Sequence, residues 1–317
     1  NRPDAASHLG SARDIIARLR LEDPSLELKY PSVDAFKAAS NNSPIQISIE
    51  NNDACKRYGG VYITNVQVGE SPDWLKDFLK TVGLRPINNI VDITNFILHE
   101  SGQPLHAFDA DQIKGNQVIV KKCAEGTPFV TLDGVERKLS SDDLMICNAE
   151  EPMCIAGVFG GKTSGVTEET TNIFLESAYF DSVSVRKTSK RHNLKTDASF
   201  RFERGTDPEI TVIALQRAAL LIKEIAGGEI SSSVSDIYPV KSKPFDVEVS
   251  YANIVKLIGQ DIPATEIKSI ILALGIEVFA ETTEGLSLKV PAYKVDVTRE
   301  CDITEEVLRI YGYNNIQ

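Results

Sequence analysis

The sequence predicts an α+β chain of two domains: a mixed α/β unit with several antiparallel strands, then a small winged-helix-like module. Three observations predict it. The 317 residues suffice for about two domains at ~150 residues each. Short apolar runs separated by turn signals fill residues 117–176, with helical periodicities on both sides. Beyond the boundary signals Ser231-Ser232-Ser233 and 241–244, the pattern reads strand, helix, helix, hairpin, helix. The expected divisions are 1–44 (helix and linker), 45–240 and 241–317.

Leu9, Ala12, Ile15, Ile16 and Leu19 repeat every 3.6 residues, which predicts a helix over 8–20. Residues 23–44 carry Pro24, Pro31, Pro44 and Ser40-Asn41-Asn42-Ser43, a linker composition. Ile45, Ile47 and Ile49 alternate with polar residues as in a half-buried strand, and a second strand is expected around 60–68. Ser71-Pro72 opens a helix with Trp74, Leu75, Phe78 and Val82 on its apolar face, closed by Gly83. Another helix covers 89–100. Strands follow at 117–122, in a hairpin turning at Asp133-Gly134, at 144–147 and at 172–176. Helices over 181–192 and 208–225 end this part, the second stopped by Gly227-Gly228. The module then reads strand 247–250, helices 254–258 and 265–274, strands 276–280 and 286–290, and helix 303–311.

Apolar residues at 42% and charged residues at 25% exclude a disordered or collagen-like chain. The net charge of −11 argues against a generic basic nucleic-acid coat. No apolar run reaches the ~20 residues of a membrane helix, and no signal-peptide pattern is present, so no membrane partner is expected. Five cysteines without a C-x-x-C pair point to reduced thiols in a cytoplasmic protein. The start at Asn1 and the stop at Gln317 suggest a piece of something longer.

Ala156 to Thr163 satisfies a relaxed phosphate-loop pattern, with Lys162 and Thr163 as phosphate and magnesium contacts. Such a loop must open a helix, and Ser164-Gly165-Val166-Thr167 start one poorly. A tight turn that brings backbone close to a ligand or strand is the competing reading. No G-x-S-x-G elbow is present, so any hydrolysis here would use a positioned water. Residues 181–206 carry a local charge of +4, either a solvated helix face or a phosphate-tracking patch. The module from 246 onward is at −6, which opposes DNA binding and favours a scaffold for protein packing. Asp302, Glu305 and Glu306 fall at i, i+3 and i+4, with Asp296 upstream. They suit either dipole complementarity at a helix start or a hard-cation site.

Several stretches together resemble the bacterial phenylalanyl-tRNA synthetase beta-subunit family. They are Asn1-Arg2-Pro3-Asp4, Arg85-Pro86-Ile87-Asn88-Asn89 with Val91-Asp92-Ile93-Thr94-Asn95, and Gly102-Gln103-Pro104-Leu105-His106-Ala107-Phe108-Asp109. Gly157-Val158-Phe159-Gly160-Gly161, Leu175-Glu176-Ser177-Ala178, Thr196-Asp197-Ala198-Ser199, Arg201-Phe202-Glu203-Arg204-Gly205 and Glu305-Glu306-Val307 continue in family order.

The resemblance implies that 45–240 is an editing domain, hydrolysing tyrosine mischarged onto phenylalanine tRNA, and that the last ~70 residues are its winged-helix-like neighbour. It implies Glu176 at the tyrosine hydroxyl and His106 near the reacting end. Thr94, Asn95, Ala156, Gly157, Gly160, Thr196 and Ala198 would form the pocket wall. Arg186, Lys187, Lys190 and Arg191 become candidates for tRNA contact. Asp296, Asp302, Glu305 and Glu306 match magnesium ligands shared with an alpha subunit in a heterotetramer of two alpha and two beta chains, with no tight binding expected in this piece alone. The ATP-dependent activating site would lie on the alpha subunit. A phosphate-loop nucleotide binder, a free-standing hydrolase and a non-catalytic nucleic-acid-binding module are the rival readings.

Overall fold

The computed structural model describes residues 2–316. Asn1, the first residue of the Asn-Arg-Pro-Asp motif, lies outside them. The chain divides into two compact units, Pro31–Lys241 and the segment up to Tyr30 together with Ser242 onward. The stretch expected as one helix-and-linker segment, 1–44, is therefore shared between them. Its helix α1 (His8–Leu19) is capped by Ser7, which accepts from the Gly10 amide. An isolated amphipathic helix cannot bury its own apolar stripe. Here Ala17 joins the core of the smaller unit, while Phe36 and Ala38 from the irregular stretch pack into the larger one.

The larger unit runs β1 (Gln46–Ile49), β2 (Cys55–Thr64), α2 (Asp73–Thr81), α3 (Asn89–Ser101), β3 (Leu105–Asp109), β4 (Gln117–Lys122), β5 (Pro128–Val130) and β6 (Glu136–Lys138). It continues with β7 (Leu144–Cys147), β8 (Pro152–Ile155), β9 (Phe159–Gly160), β10 (Ile173–Phe180), α4 (Ser182–His192), α5 (Asp197–Phe202), α6 (Ile210–Ile225), β11 (Glu229–Ile230) and β12 (Ser235–Ile237). One sheet has the order β1-β4-β7-β8-β9; the other has β11-β2-β10-β3, with β12 also paired to β2.

Strand β10 is the hub, antiparallel to β2 on one side and to β3 on the other. Its side chains alternate between two cores. Phe174, Ala178 and Phe180 join Tyr58, Phe108 and the Met145, Ile146 and Ile155 side chains of the other sheet. Ile173 and Leu175 join Ile90, Ile93 and Ile97 of α3 and Leu215 and Ile222 of α6. The order of layers is sheet, sheet, helices. Glu176 has the parity of Phe174 and Ala178, so a carboxyl group is planted between the two sheets. Opposite it on β2 stands Gly60, where a Cβ would lie 2.1 Å from the Phe174 ring.

The smaller unit adds β13 (Phe245–Ser250), α7 (Tyr251–Ile258), α8 (Ala264–Ala273), β14 (Glu277–Glu281), β15 (Gly285–Val290) and α9 (Glu300–Tyr311) to α1. Its sheet is antiparallel, in the order β13-β15-β14. The core is aliphatic: Val247, Ile254, Ile267, Ile270, Leu288, Ile303 and Val307 are buried in one cluster with Ala17. No helix among the described residues is long and apolar enough to cross a membrane.

Candidate active site

Glu176 sits in mid-strand, paired with Gly60 of β2 and His106 of β3. It is 5% exposed. Directly opposed residues of neighbouring strands share a face, so His106 and Glu176 look into the same inter-sheet space. Tyr58 donates its hydroxyl to Glu176 Oε2 at 3.0 Å. Burial pushes the Glu176 carboxyl up to about 8, and the Tyr58 bond opposes part of that rise. The surrounding thiols of Cys55 and Cys154 are raised too, first by burial and then by the nearby Glu176 charge.

His106 keeps part of its surface exposed, but its Nε2 is buried and has no partner among the described residues. Its ring stands edge-on to Phe108, with centroids 4.5 Å apart. Burial lowers its pKa to about 4, so the imidazole is neutral at pH 7. The wall beside it is Gly160, where a Cβ would come within 3.0 Å of His106 Cε1 and 2.8 Å of Leu132. Only a residue without a side chain leaves this approach open.

The pocket-wall residues implied by the resemblance fall in two groups. Ala156 and Gly157 form the turn between β8 and β9, and Gly160 ends β9. Thr196 caps α5 and donates to the Val158 carbonyl at 2.9 Å, which fastens α5, with Ala198, onto that turn. Thr94 and Asn95 lie on α3, in the helical layer, and the Thr94 hydroxyl donates locally to Val91 at 2.7 Å. Arg201 of α5 reaches His99 of α3 at 3.4 Å, which links the two groups.

Of the two readings of 156–163, the local structure is the tight turn and not the phosphate loop. Strand β8 turns back through 156–158 into β9, and no helix follows. Lys162 and Thr163 are exposed, so no helix N-terminus exists to hold a phosphate. Arg186, Lys187 and Lys190 are exposed on α4. Arg191 is bound instead to the buried Asp143, which also takes a 2.9 Å bond from Thr188.

The four carboxylates matched to magnesium do not gather as ligands. Among the described residues no group of three or more His, Cys, Asp or Glu is arranged to hold a metal. Glu306 is buried and holds Lys294 at 2.5 Å and Arg309 at 3.0 Å. Asp302 accepts from Arg299 at 2.8 Å and from the amides of Thr298 and Arg299. Glu305 is exposed. Lys294 also reaches Asp4 at 3.2 Å, so an ammonium already stands among these acids. Octahedral coordination at ~2.1 Å would require those cations to leave. The residues as arranged do not fit the ion.

Tyr58, Leu132 and Cys154 belong to the site and carry no motif. Leu132 is half exposed at the His106 end, and its amide donates to the Gly160 carbonyl at 3.0 Å.

Comparison with known proteins follows this division of the chain. The B3/4 domain model matches residues 54–227, and the tRNA synthetase B5 domain model matches 247–313. The phenylalanine–tRNA ligase beta subunit of Bacteroides fragilis (strain YCH46) is 57% identical over all of this chain, and that of Protochlamydia amoebophila is 45% identical over 98% of it. The chain spans 39% and 38% of the length of those two relatives. An N-terminal fragment of the phenylalanyl-tRNA synthetase beta subunit from Pyrococcus horikoshii aligns with 99% of this chain and 85% of its own, at 20% identity and a TM-score of 0.45. The chain belongs to the B3/4 domain family, carries a tRNA synthetase B5 domain after it, and is similar along its length to phenylalanine–tRNA ligase beta subunits.

Proposed function

We propose that this chain is the editing part of a phenylalanine–tRNA ligase beta subunit, and that it hydrolyses tyrosine mischarged onto phenylalanine tRNA. An apolar pocket that holds phenylalanine rejects an analogue with one extra hydroxyl only about a hundredfold. A second site that hydrogen-bonds the hydroxyl can reject the analogue lacking it by about ten thousandfold. The observation that carries this reading is Glu176: a carboxyl group buried among apolar side chains, already accepting from a phenol, with His106 directly across the sheet. Gly157 and Gly160 let the 156–160 turn approach Phe202 and His106 closely.

In this reading Glu176 accepts the tyrosine hydroxyl. His106 orients water or the terminal ribose, because a neutral imidazole with a pKa near 4 is a weak base at pH 7. Backbone groups of the turn hold the ester near the water. Arg186, Lys187 and Lys190, exposed on α4, are the cations this reading assigns to the acceptor end of the tRNA. The full enzyme would pair this subunit with an alpha subunit that activates the amino acid, in a reducing cytoplasm suited to the five free thiols. A magnesium ion shared with that subunit would have to draw Asp302 and Glu306 away from Arg299 and Lys294.

The test is deacylation of tyrosyl- and phenylalanyl-charged phenylalanine tRNA by this chain and by the assembled enzyme. In the assembled enzyme, Glu176→Ala should slow tyrosyl hydrolysis roughly ten- to a hundredfold and leave phenylalanine charging intact. Unchanged tyrosyl deacylation would remove Glu176 from the site.

A further inference from the structure

We propose that Tyr58 is the positioning residue of this site: its hydroxyl holds one oxygen of Glu176, so that the other is presented to the hydroxyl of a bound tyrosyl ester. The inference rests on the editing reading above and adds a residue to it.

Tyr58 is fully buried on β2, two residues before the Gly60 that faces Glu176. A buried phenol needs an acceptor. Among the described residues, the hydrogen bond to the Glu176 carboxyl group comes from Tyr58, at 3.0 Å to Oε2. A carboxylate offers about four acceptor sites on two oxygens, so Oε1 retains capacity for a second phenol. Gly60 contributes no side chain that could bond Glu176, and the neighbouring ring of Phe174 is apolar.

Position and charge are linked here. The titratable groups facing Glu176 are Cys55 and Tyr58 from β2, His106 from β3 and Cys154 from β8. Burial pushes both thiols upward and His106 downward, so all three are neutral at pH 7, and Tyr58 is likewise raised. No cation among them stabilises a Glu176 carboxylate. The Tyr58 hydroxyl is the group that favours the ionised form, against a burial effect that pushes the carboxyl to about 8. A charged acceptor forms a hydrogen bond about twice as strong as a neutral one. Preference for the tyrosyl over the phenylalanyl ester should therefore rise with pH toward 8, and it should depend on Tyr58.

The experiment uses the assembled alpha–beta enzyme and measures deacylation of tyrosyl- and phenylalanyl-charged phenylalanine tRNA from pH 6 to 9. Tyr58→Phe should lower the tyrosyl-to-phenylalanyl rate ratio roughly tenfold at pH 7. It should move the midpoint of the ratio to higher pH, and alkali should restore part of the loss. A structural defect would depress hydrolysis of both esters at every pH and would not be restored. Replacing Tyr58 by 3-fluorotyrosine, which keeps the shape and strengthens the donor, should move the midpoint the other way. Phenylalanine charging by each variant reports folding. A wild-type ratio and midpoint in both variants, with Glu176→Gln losing selectivity, overturns the role of Tyr58 and leaves the editing reading standing. Faster tyrosyl hydrolysis by Tyr58→Phe also overturns it, because Tyr58 would then be a competitor for Glu176. If the native enzyme does not discriminate between the esters and Glu176→Gln changes nothing, both readings fall together.

Discussion

Glu176 and Glu306 are the same residue at nearly the same burial, 5% and 4% exposed, and they behave in opposite ways. Glu306 is held by Lys294 and Arg309, which pull its carboxyl below the ordinary range despite the cost of burial. Glu176 has a single phenol, and burial carries its carboxyl to about 8. The contrast separates two uses of a buried acid. Glu306 is saturated and fastens α9 to the segment around Lys294. Glu176 is under-satisfied, so its capacity to bond is available to something that arrives. Buried charge without a partner is costly, and a fold retains it chiefly where it has a task.

The largest expected effect tests that contrast directly. Glu306→Gln leaves the buried Lys294 with Asp4 in place of two carboxylate partners, so denaturation of the smaller unit should show a loss of up to about 3 kcal/mol. Glu176→Gln removes a group whose ionisation the fold resists, so the larger unit should gain about 1–3 kcal/mol at pH 8. Equal losses from both substitutions would break the comparison.

The pH dependence sharpens it. The folded pKa of Glu176 is raised, so its contribution to stability is greatest below the unfolded value of 4.5 and is lost as pH rises toward about 8. The slope approaches about 1.4 kcal/mol per pH unit within that window. The folded pKa of Glu306 is lowered, so its contribution is present above 4.5 and is lost as pH falls through the lowered value. Melting curves from pH 5 to 8 should show the larger unit weakening and the Glu306 contribution constant, and Glu176→Gln should flatten the first slope.

His106 supplies a smaller effect, on rate. As an orienter it should contribute about tenfold, below the 10²–10⁴ of a general base. His106→Ala in the assembled enzyme should slow tyrosyl deacylation by that amount. The pH–rate profiles of variant and wild type should stay parallel between pH 6 and 8, because the imidazole is already neutral there. A profile that loses an inflection in that range on substitution would make His106 the base.

Much of the scaffold was legible in the residues. The expected strands 117–122 and 144–147 coincide with β4 and β7, and the helix of Leu75 and Phe78 with α2. These are alternating, amphipathic or wholly apolar segments, whose local pattern agrees with their burial. The site itself is built from what such reasoning misses. Strand β3, which carries His106, has five residues between Pro104 and an irregular turn, and α5 has six, too few for a period to show. The expected strand 172–176 is only the first part of β10, because Ser177 and Ala178 look weakly apolar although both are buried. Tyr58 lies 118 residues from Glu176, and nothing local marks such a pairing. The membership of α1 in the smaller unit is equally non-local. It depends on Asp14 meeting Arg309 at 3.0 Å and on Arg2 meeting Asp4 at 2.6 Å and Asp14. Family resemblance alone marks Glu176 and His106 in the sequence, and at the acids of α9 the resemblance and the geometry part.

That parting gives the smallest expected effect. If Glu306 is already satisfied, magnesium has little to offer the smaller unit. An ion would have to displace Lys294 and Arg309 from Glu306 and Arg299 from Asp302, and it gives up its own waters reluctantly unless the geometry is near octahedral. Stabilisation by a ligand follows RT ln(1 + [L]/Kd), so an ion at a tenth of its Kd adds well under ~0.1 kcal/mol. Melting of this chain in millimolar magnesium and in chelator should therefore differ by less than about 1 °C. A saturable upward shift, abolished by Asp302→Asn and Glu306→Gln together, would mean that the cluster rearranges around a cation. Glu306 would then be a ligand in waiting, as Glu176 is, and the difference between the two buried acids would lie in which partner they await.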